Sequence, residues 1–223
     1  MESEREERRI IEYGAEELDY LAAKDSKLAE VIAQLGPLRF TPDDDLFASV
    51  VRNIVGQQIT SKAQESIWRR ALGAFGSITP GTLDAAGEEE LQSVGISFRK
   101  AGYIKGFAHE VASGAFDLDA VRSMDDADAI AALSSIRGIG TWTAEMLLLF
   151  SLGRPDILSF NDLGIQRGLR MLYHHRAITP KLFAKYRRRY SPYGSAASLI
   201  LWRISDGTIP GMRDYAPKKK RKQ

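Results

Sequence analysis

Apolar residues recur three and four positions apart along most of this chain, while strand-like alternation bounded by hairpin signals such as Asn-Gly is missing. Phe47, Val50, Val51, Ile54 and Val55 share one helical face, and Ile67, Leu72 and Phe75 continue the pattern on the next segment. Side chains spaced this way fall on one stripe of a 3.6-residue helix, so the chain must bury itself by packing helix on helix. Helix starts are marked at Thr41-Pro42-Asp43, at Thr79-Pro80, at Ser123 with Asp126 three residues on, and at Thr179-Pro180. Gly36, Gly56, Gly76, Gly95, Gly114 and Gly153 punctuate the ends. The expectation is an all-α body of about ten helices, with no β-sheet required and only helix before Leu46.

With 223 residues, 44% hydrophobic and 27% charged, the chain can bury a substantial core in one or two domains. No uncharged apolar run approaches the ~20 residues that cross a bilayer, and Met1 to Ile10 is dominated by Glu and Arg, so neither a membrane span nor a secretory signal is expected. The absence of cysteine excludes disulfides, a thiol nucleophile, thiolate zinc sites and a cysteine-ligated iron–sulfur cluster. His109, His174 and His175 are the only histidines and have no metal-ligand spacing; the adjacent pair reads as surface. A net charge of +2 does not argue for nucleic acid, but its distribution is uneven. Acidic residues crowd the chain before Leu46 and across Asp117 to Asp128, whereas Lys185 to Arg189 and Lys218 to Lys222 are almost purely basic. Lys185 to Arg189 reads equally as a solvated face or as a polyanion contact.

The most informative stretch runs from Ala129 to Phe150. A helix from Asp126 to Leu133 leads into Ile136-Arg137-Gly138-Ile139-Gly140-Thr141, and a second helix continues from Trp142-Thr143-Ala144 through Leu149. Gly138 and Gly140 permit a tight turn and let main-chain amides press against a ligand. Those amides lie at the mouth of a helix, where unpaired N–H groups can donate to a phosphate oxygen, favoured by the helix dipole, without reading any base. A tight αα turn that merely closes a helix pair is the plain alternative; the apolar residue before the hairpin, the one between the glycines and the Thr-x-Thr-Ala after them occur together and favour phosphate binding.

Leu133, Ile136, Gly138, Ile139, Gly140, Thr143 and Ala144 match the pattern of the helix-hairpin-helix DNA glycosylases, with Arg137 in place of the usual proline. The resemblance covers roughly Leu46 to Gly207, including Gly95-Ile96-Ser97-Phe98-Arg99-Lys100-Ala101, similar to the family's entry to a helix. It implies that Arg137, Gly138, Gly140, Thr141 and Thr143 contact the DNA backbone. It also implies a structural Na+ or K+ held by the main-chain carbonyls of Ser134, Ile136 and Ile139, bridging to phosphate, with no cofactor needed for catalysis.

Asp162 follows Gly140 by 22 residues, in Leu158-Ser159-Phe160-Asn161-Asp162-Leu163-Gly164. The family's catalytic aspartate stands at a similar separation, with Asp156 in the place of a structural acid. One carboxylate suffices for the chemistry: breaking the N-glycosidic bond leaves positive charge on the sugar, which a fixed anion stabilises while it helps orient water. A base made cationic by alkylation leaves without a general acid. The same aspartate also suits a helix cap.

Family members that also nick the strand carry a lysine two positions after the second hairpin glycine, where this chain has Trp142. The chain therefore resembles the monofunctional branch of bacterial 3-methyladenine DNA glycosylase II and its yeast relatives, and the iron–sulfur branches are disfavoured. A cationic purine is drawn to aromatic faces. The resemblance places Trp142 and Trp202 in such a pocket, with Tyr193 in Tyr190-Ser191-Pro192-Tyr193-Gly194-Ser195 and Met146 where the bacterial enzyme has a tyrosine. Gln57 and Gln58, in Val55-Gly56-Gln57-Gln58-Ile59-Thr60, stand where the family inserts a side chain into the gap left by a flipped base; a helix C-terminal turn is the plain alternative.

The expected organisation is a central bundle over 46–153, a second helical subdomain of 1–45 with 154–216, an active-site cleft between them, and a basic tail over 217–223. The tail reads as a salt-sensitive DNA contact or a nuclear signal. The expected partner is double-stranded DNA containing damaged bases, bound by a monomer away from membranes, in the cytoplasm at the bacterial nucleoid or in a eukaryotic nucleus. A helix-hairpin-helix DNA-binding protein without chemistry and a glycosylase for another damaged base are the rival readings.

Overall fold

The computed structural model describes residues 9–217; the basic run Lys218 to Lys222 lies outside them. The chain divides into two compact units, one formed by the residues up to Pro42 together with those from Gly153 on, the other by Asp43–Leu152. In chain order the first unit opens with β1 (Ile11–Tyr13), α1 (Ala15–Lys24), α2 (Ser26–Leu35) and β2 (Leu38–Phe40). The second unit holds α3 (Leu46–Gly56), α4 (Ser61–Phe75), α5 (Pro80–Ala85), α6 (Glu88–Ser93), α7 (Phe98–Ala112), α8 (Leu118–Ser123), α9 (Asp126–Ser135) and α10 (Thr141–Leu147), the last running into a π-helical turn at Leu148–Leu152. The chain returns to the first unit for α11 (Leu163–Tyr173), α12 (Pro180–Tyr190) and α13 (Gly194–Ser205).

The all-α expectation holds, with a correction before Leu46. β1 and β2 pair antiparallel, Ile11 opposite Phe40 and Tyr13 opposite Leu38, so this region is not helix alone. The pair brackets α1 and α2 and lays Tyr13 and Leu38 onto the same apolar cluster. Two helix starts also differ. α3 begins at Leu46, where the Asp45 carboxylate accepts the Ala48 amide; Thr41-Pro42-Asp43 precedes it outside any helix or strand. α9 is capped by Asp125, whose side chain accepts the Asp128 amide, while Ser123 closes α8. In each case the carboxylate three residues before the first capped amide wins, because only it reaches that N–H. Thr79 and Thr179 cap α5 and α12 ahead of Pro80 and Pro180, as the sequence predicts.

The core of the first unit is built from Leu21, Leu28 and Val31 against Ile165, Leu169, Ile200, Leu201 and Ile204. Burying each such side chain contributes about 1.5–3 kcal/mol. A Cβ on Gly168 would lie 2.4 Å from the Leu201 carbonyl oxygen, so α11 and α13 touch backbone to backbone at a position only glycine fits. A polar network staples α2 beside them: the Asp25 carboxylate caps α2, accepts the Tyr173 hydroxyl at 2.7 Å and pairs with Arg189. Burial pushes the Tyr173 and Tyr190 hydroxyls above the usual tyrosine range, which keeps both as neutral donors and acceptors, 2.6 Å apart. The second unit has its own core, in which Val50 and Ile54 of α3, Ile104 of α7, Leu133 of α9 and Leu147 to Leu149 are buried. The Phe47 and Phe107 rings stack there at 5.0 Å. No helix among the described residues is long and apolar enough to cross a membrane.

Candidate active site and DNA-binding hairpin

Asp162 is the N-cap of α11 and is 7% exposed. Its Oδ1 accepts two hydrogen bonds, from the Ile165 amide at 2.8 Å and from the indole Nε1 of Trp202 at 2.9 Å. A cap normally uses one backbone donor. The added indole from α13 fixes the plane of the carboxylate as well as its position. Gly164 makes this pairing possible, since a Cβ there would stand 2.7 Å from Trp202 Cδ1 and 3.1 Å from Asp162 Oδ1.

The loop that delivers Asp162 is fastened along its length. Asp156 accepts Arg187 Nη1 at 2.7 Å, Ser191 Oγ at 2.7 Å and the Gly194 amide at 2.9 Å. Ser195 Oγ accepts the Ile157 amide, Ser198 Oγ donates to the Ile157 carbonyl, and Gln166 Nε2 donates to the Phe160 carbonyl. Charge-assisted bonds at both ends of a short loop leave the carboxylate little freedom to drift. Tyr193 sits at the N-cap of α13, its hydroxyl donating to Glu16 Oε1 at 2.9 Å and its ring edge-on to Tyr20.

In the other unit, α9 and α10 meet at a tight turn closed by the Ile139 amide on the Ile136 carbonyl at 2.9 Å. Gly138 has φ +94°, and a Cβ there would lie 2.5 Å from Tyr103 Cδ2. Glycine is required twice over, by torsion and by the ring beneath it. Gly140 is the N-cap of α10, and no side chain caps the first turn, so the amides that follow are held by backbone geometry alone. Thr141 is exposed and Thr143 buried; the exposed Arg137 guanidinium lies 5.9 Å from the Tyr103 ring centre. At the C-terminal end of α9, where the helix dipole favours a cation, no hydrogen bond among the described residues is donated to the carbonyl of Ser134 or of Ile139, and Ser134 Oγ is buried without a partner. These oxygens, with that of Ile136, fit a monovalent cation.

The helix–loop junction after α3 reaches this hairpin directly. Gln57 Nε2 donates to the Gly138 carbonyl at 2.7 Å, and Lys100 Nζ donates to the carbonyls of Val55 at 2.8 Å and Gln57 at 2.7 Å. Burial holds the Lys100 ammonium below the usual lysine range, with Arg99 adding to the effect. Gln58 is exposed and has φ +59°. Beside it opens a pocket of about 510 Å³ lined by Asn53, Gly56, Gln57, Gln58, Gln64, Trp142 and Thr143. Trp142 is 44% exposed, while Met146, one turn on, is buried.

Residues 51–192 match the model of the HhH-GPD superfamily of base excision DNA repair proteins. The chain belongs to that superfamily. Among its HhH-GPD relatives, the DNA-3-methyladenine glycosylase 1 of Schizosaccharomyces pombe is 30% identical over 184 residues, covering 80% of this chain and 81% of the relative. The crystal structure of a DNA-3-methyladenine glycosidase from Bacillus halodurans superposes with a TM-score of 0.81 at 34% identity, over 87% of this chain and 92% of the other. A second HhH-GPD structure, the 3-methyladenine DNA glycosylase of Schizosaccharomyces pombe in complex with abasic DNA, gives a TM-score of 0.70 at 27% identity, over 87% and 98%.

Within this HhH-GPD chain, the sequence-predicted site residues separate by what they touch. Trp142, Gln57, Gln58 and Thr143 line one pocket beside the hairpin, and Asp162 and Trp202 are joined by a hydrogen bond. Trp202, expected as a stacking wall, has its indole N–H committed to the carboxylate. Three residues that shape the site escaped the sequence reading: Gly164 as the space for that bond, Tyr103 as the floor of the turn, and Lys100 as the clamp on α3. Lys100 stands in a recognised motif, but nothing in the motif says which carbonyls it meets.

Proposed function

We propose that this chain is a monofunctional DNA glycosylase of base excision repair, which flips an alkylated purine of the 3-methyladenine or 7-methylguanine type from duplex DNA and hydrolyses its bond to the sugar. The observation that carries the reading is the Asp162 carboxylate, fixed at the head of α11 by two donors on one oxygen. A carboxylate so held is a preorganised anion for the positive charge that develops on the deoxyribose ring, and no reorganisation is needed as the bond breaks. It also orients the attacking water by accepting a hydrogen bond from its O–H. Trp202 acts through Asp162 as a positioning residue. Because Trp142 stands where a Schiff-base lysine would be, no amine attacks the sugar, and the abasic strand stays intact.

The hairpin supplies the sequence-independent grip. The amides opening α10, from Thr141 on, donate hydrogen bonds to a phosphate oxygen, with Arg137 adding charge beside them. The carbonyls of Ser134, Ile136 and Ile139 would hold a Na+ or K+ there, which supplies positive charge for the same phosphate. Of the two wedge candidates, Gln57 is engaged with Gly138, so the exposed Gln58 is the residue that enters the duplex and hydrogen-bonds the orphaned base. Trp142 offers its ring to the cationic purine. Thr143 and Met146 are buried on α10 beside Trp142, and Tyr193 is held by Glu16 at the head of α13.

Incubation with duplex DNA methylated at purines tests the activity: chromatography is expected to show released 3-methyladenine and 7-methylguanine, with strand breaks appearing only after alkali treatment. DNA bound without base release would instead establish the non-catalytic reading. Trp202→Phe keeps a ring in the core and removes the N–H. Its single-turnover rate is expected to fall roughly tenfold, about 1.4 kcal/mol, with DNA affinity unchanged. An unchanged rate would return Trp202 to the role of a stacking wall.

A further inference from the structure

Between Leu163 and Ser205 the chain carries nine Lys and Arg and no Asp or Glu. Several of these cations reach acids elsewhere: Arg170 pairs with Asp214, Arg187 with Asp156, Arg189 with Asp25 and Arg203 with Asp206. The basic run Lys185 to Arg189 is thus two things at once. Arg187 and Arg189 turn inward and fasten loops, whereas Lys185 and Arg188 are exposed and, with Lys181, have no carboxylate within ion-pair distance among the described residues.

Lys181, Lys185 and Arg188 stand four and three positions apart on α12, one face of an 11-residue helix, and with Thr179 and Leu182 they line a groove of about 330 Å³. This arrangement does not serve the helix. Lys181 sits in the first turn, at the positive end of the dipole, and like charges at these spacings repel. A stripe kept at the helix's expense needs an outside anion. Lys181 and Lys185 are about 6 Å apart along the axis, a spacing that suits successive phosphates of one strand.

We infer that the Lys181–Lys185–Arg188 face of α12 is a second DNA-backbone contact, apart from the hairpin, that binds phosphate irrespective of sequence or damage. It rests on the reading of the chain as a DNA-binding protein, but not on the catalytic role of Asp162. Each phosphate neutralised releases counterions and steepens the salt dependence of binding by about 0.9 in log–log slope. The test is fluorescence anisotropy with an undamaged duplex between 50 and 200 mM KCl, comparing the wild type with K181Q/K185Q/R188Q. The variant is expected to lose about 2 to 3 units of slope and at least tenfold in affinity at the higher salt. Its single-turnover base-release rate at saturating enzyme is expected to stay within about twofold. A slope within about 0.5 of the wild type overturns the inference, whatever the release assay shows. Absence of release from both proteins, with the slope difference intact, would overturn the catalytic reading alone.

Discussion

Asp162→Asn is expected to lower the single-turnover rate of base release by at least about 100- to 1,000-fold, or roughly 2.7–4 kcal/mol, while leaving the fold and DNA affinity in place. The substitution is close to isosteric, and an asparagine Oδ1 accepts the same bonds from the Ile165 amide and the Trp202 indole. Asparagine is also as good an N-cap as aspartate, so α11 keeps its start and the melting temperature should move little. What disappears is one negative charge, which on the proposed reading stabilises the positive charge that builds on the sugar. Measuring release, duplex affinity and thermal unfolding on the same preparation separates the electrostatic loss from damage to the fold. Equal release from variant and wild type would remove Asp162 from the chemistry and leave it a cap.

The second large effect is expected at the hairpin. Gly138→Ala forces an L-residue to φ +94° and drives a methyl group to 2.5 Å from the Tyr103 ring. Backbone strain of this kind costs on the order of 1–3 kcal/mol, and the turn escapes it only by moving the amides that follow. DNA affinity should therefore drop by about tenfold or more for damaged and undamaged duplex alike, while the release rate at saturating enzyme changes less. Adding Tyr103→Ala relieves the contact but not the torsion, so the double variant should regain only part of the loss. Full recovery would show that crowding alone, and not the glycine torsion, sets the hairpin.

Gly138 as a turn glycine and Asp162 as a helix cap were legible from local traces in the sequence, whereas a catalytic part for Asp162 was read only from its likeness to the family's pattern. A turn that needs positive φ selects glycine, and an acid at a helix start shows itself by its place before an apolar run. The strand pair left no such trace: each strand is three residues long, and the two are separated by α1 and α2, so neither alternation nor a turn signal marks them. The π-helical turn after α10 also hides, since Leu148 and Leu149 fit a continuing α-helix equally well. Partners distant in sequence were invisible for a different reason. Trp202 lies 40 residues from Asp162, and tertiary packing of α11 on α13, including the close backbone approach of Gly168 to Leu201, brings the two together. The basic run on α12 shows the same limit, because charge alone cannot tell an arginine turned toward Asp156 from a neighbour facing water.

Lys100, Gln57 and Gly138 form an unbroken relay: the ammonium grips the Gln57 carbonyl, and the Gln57 amide grips the carbonyl of Gly138. The turn that follows α3 and the glycine turn before α10 are therefore one rigid piece, a ruler with a fixed length. On the proposed reading, whichever phosphate the glycine turn seizes, Gln58 would meet the duplex at a set number of steps from it. Searching for a lesion would then amount to shifting the whole ruler along the strand, with no separate adjustment of its probing tip.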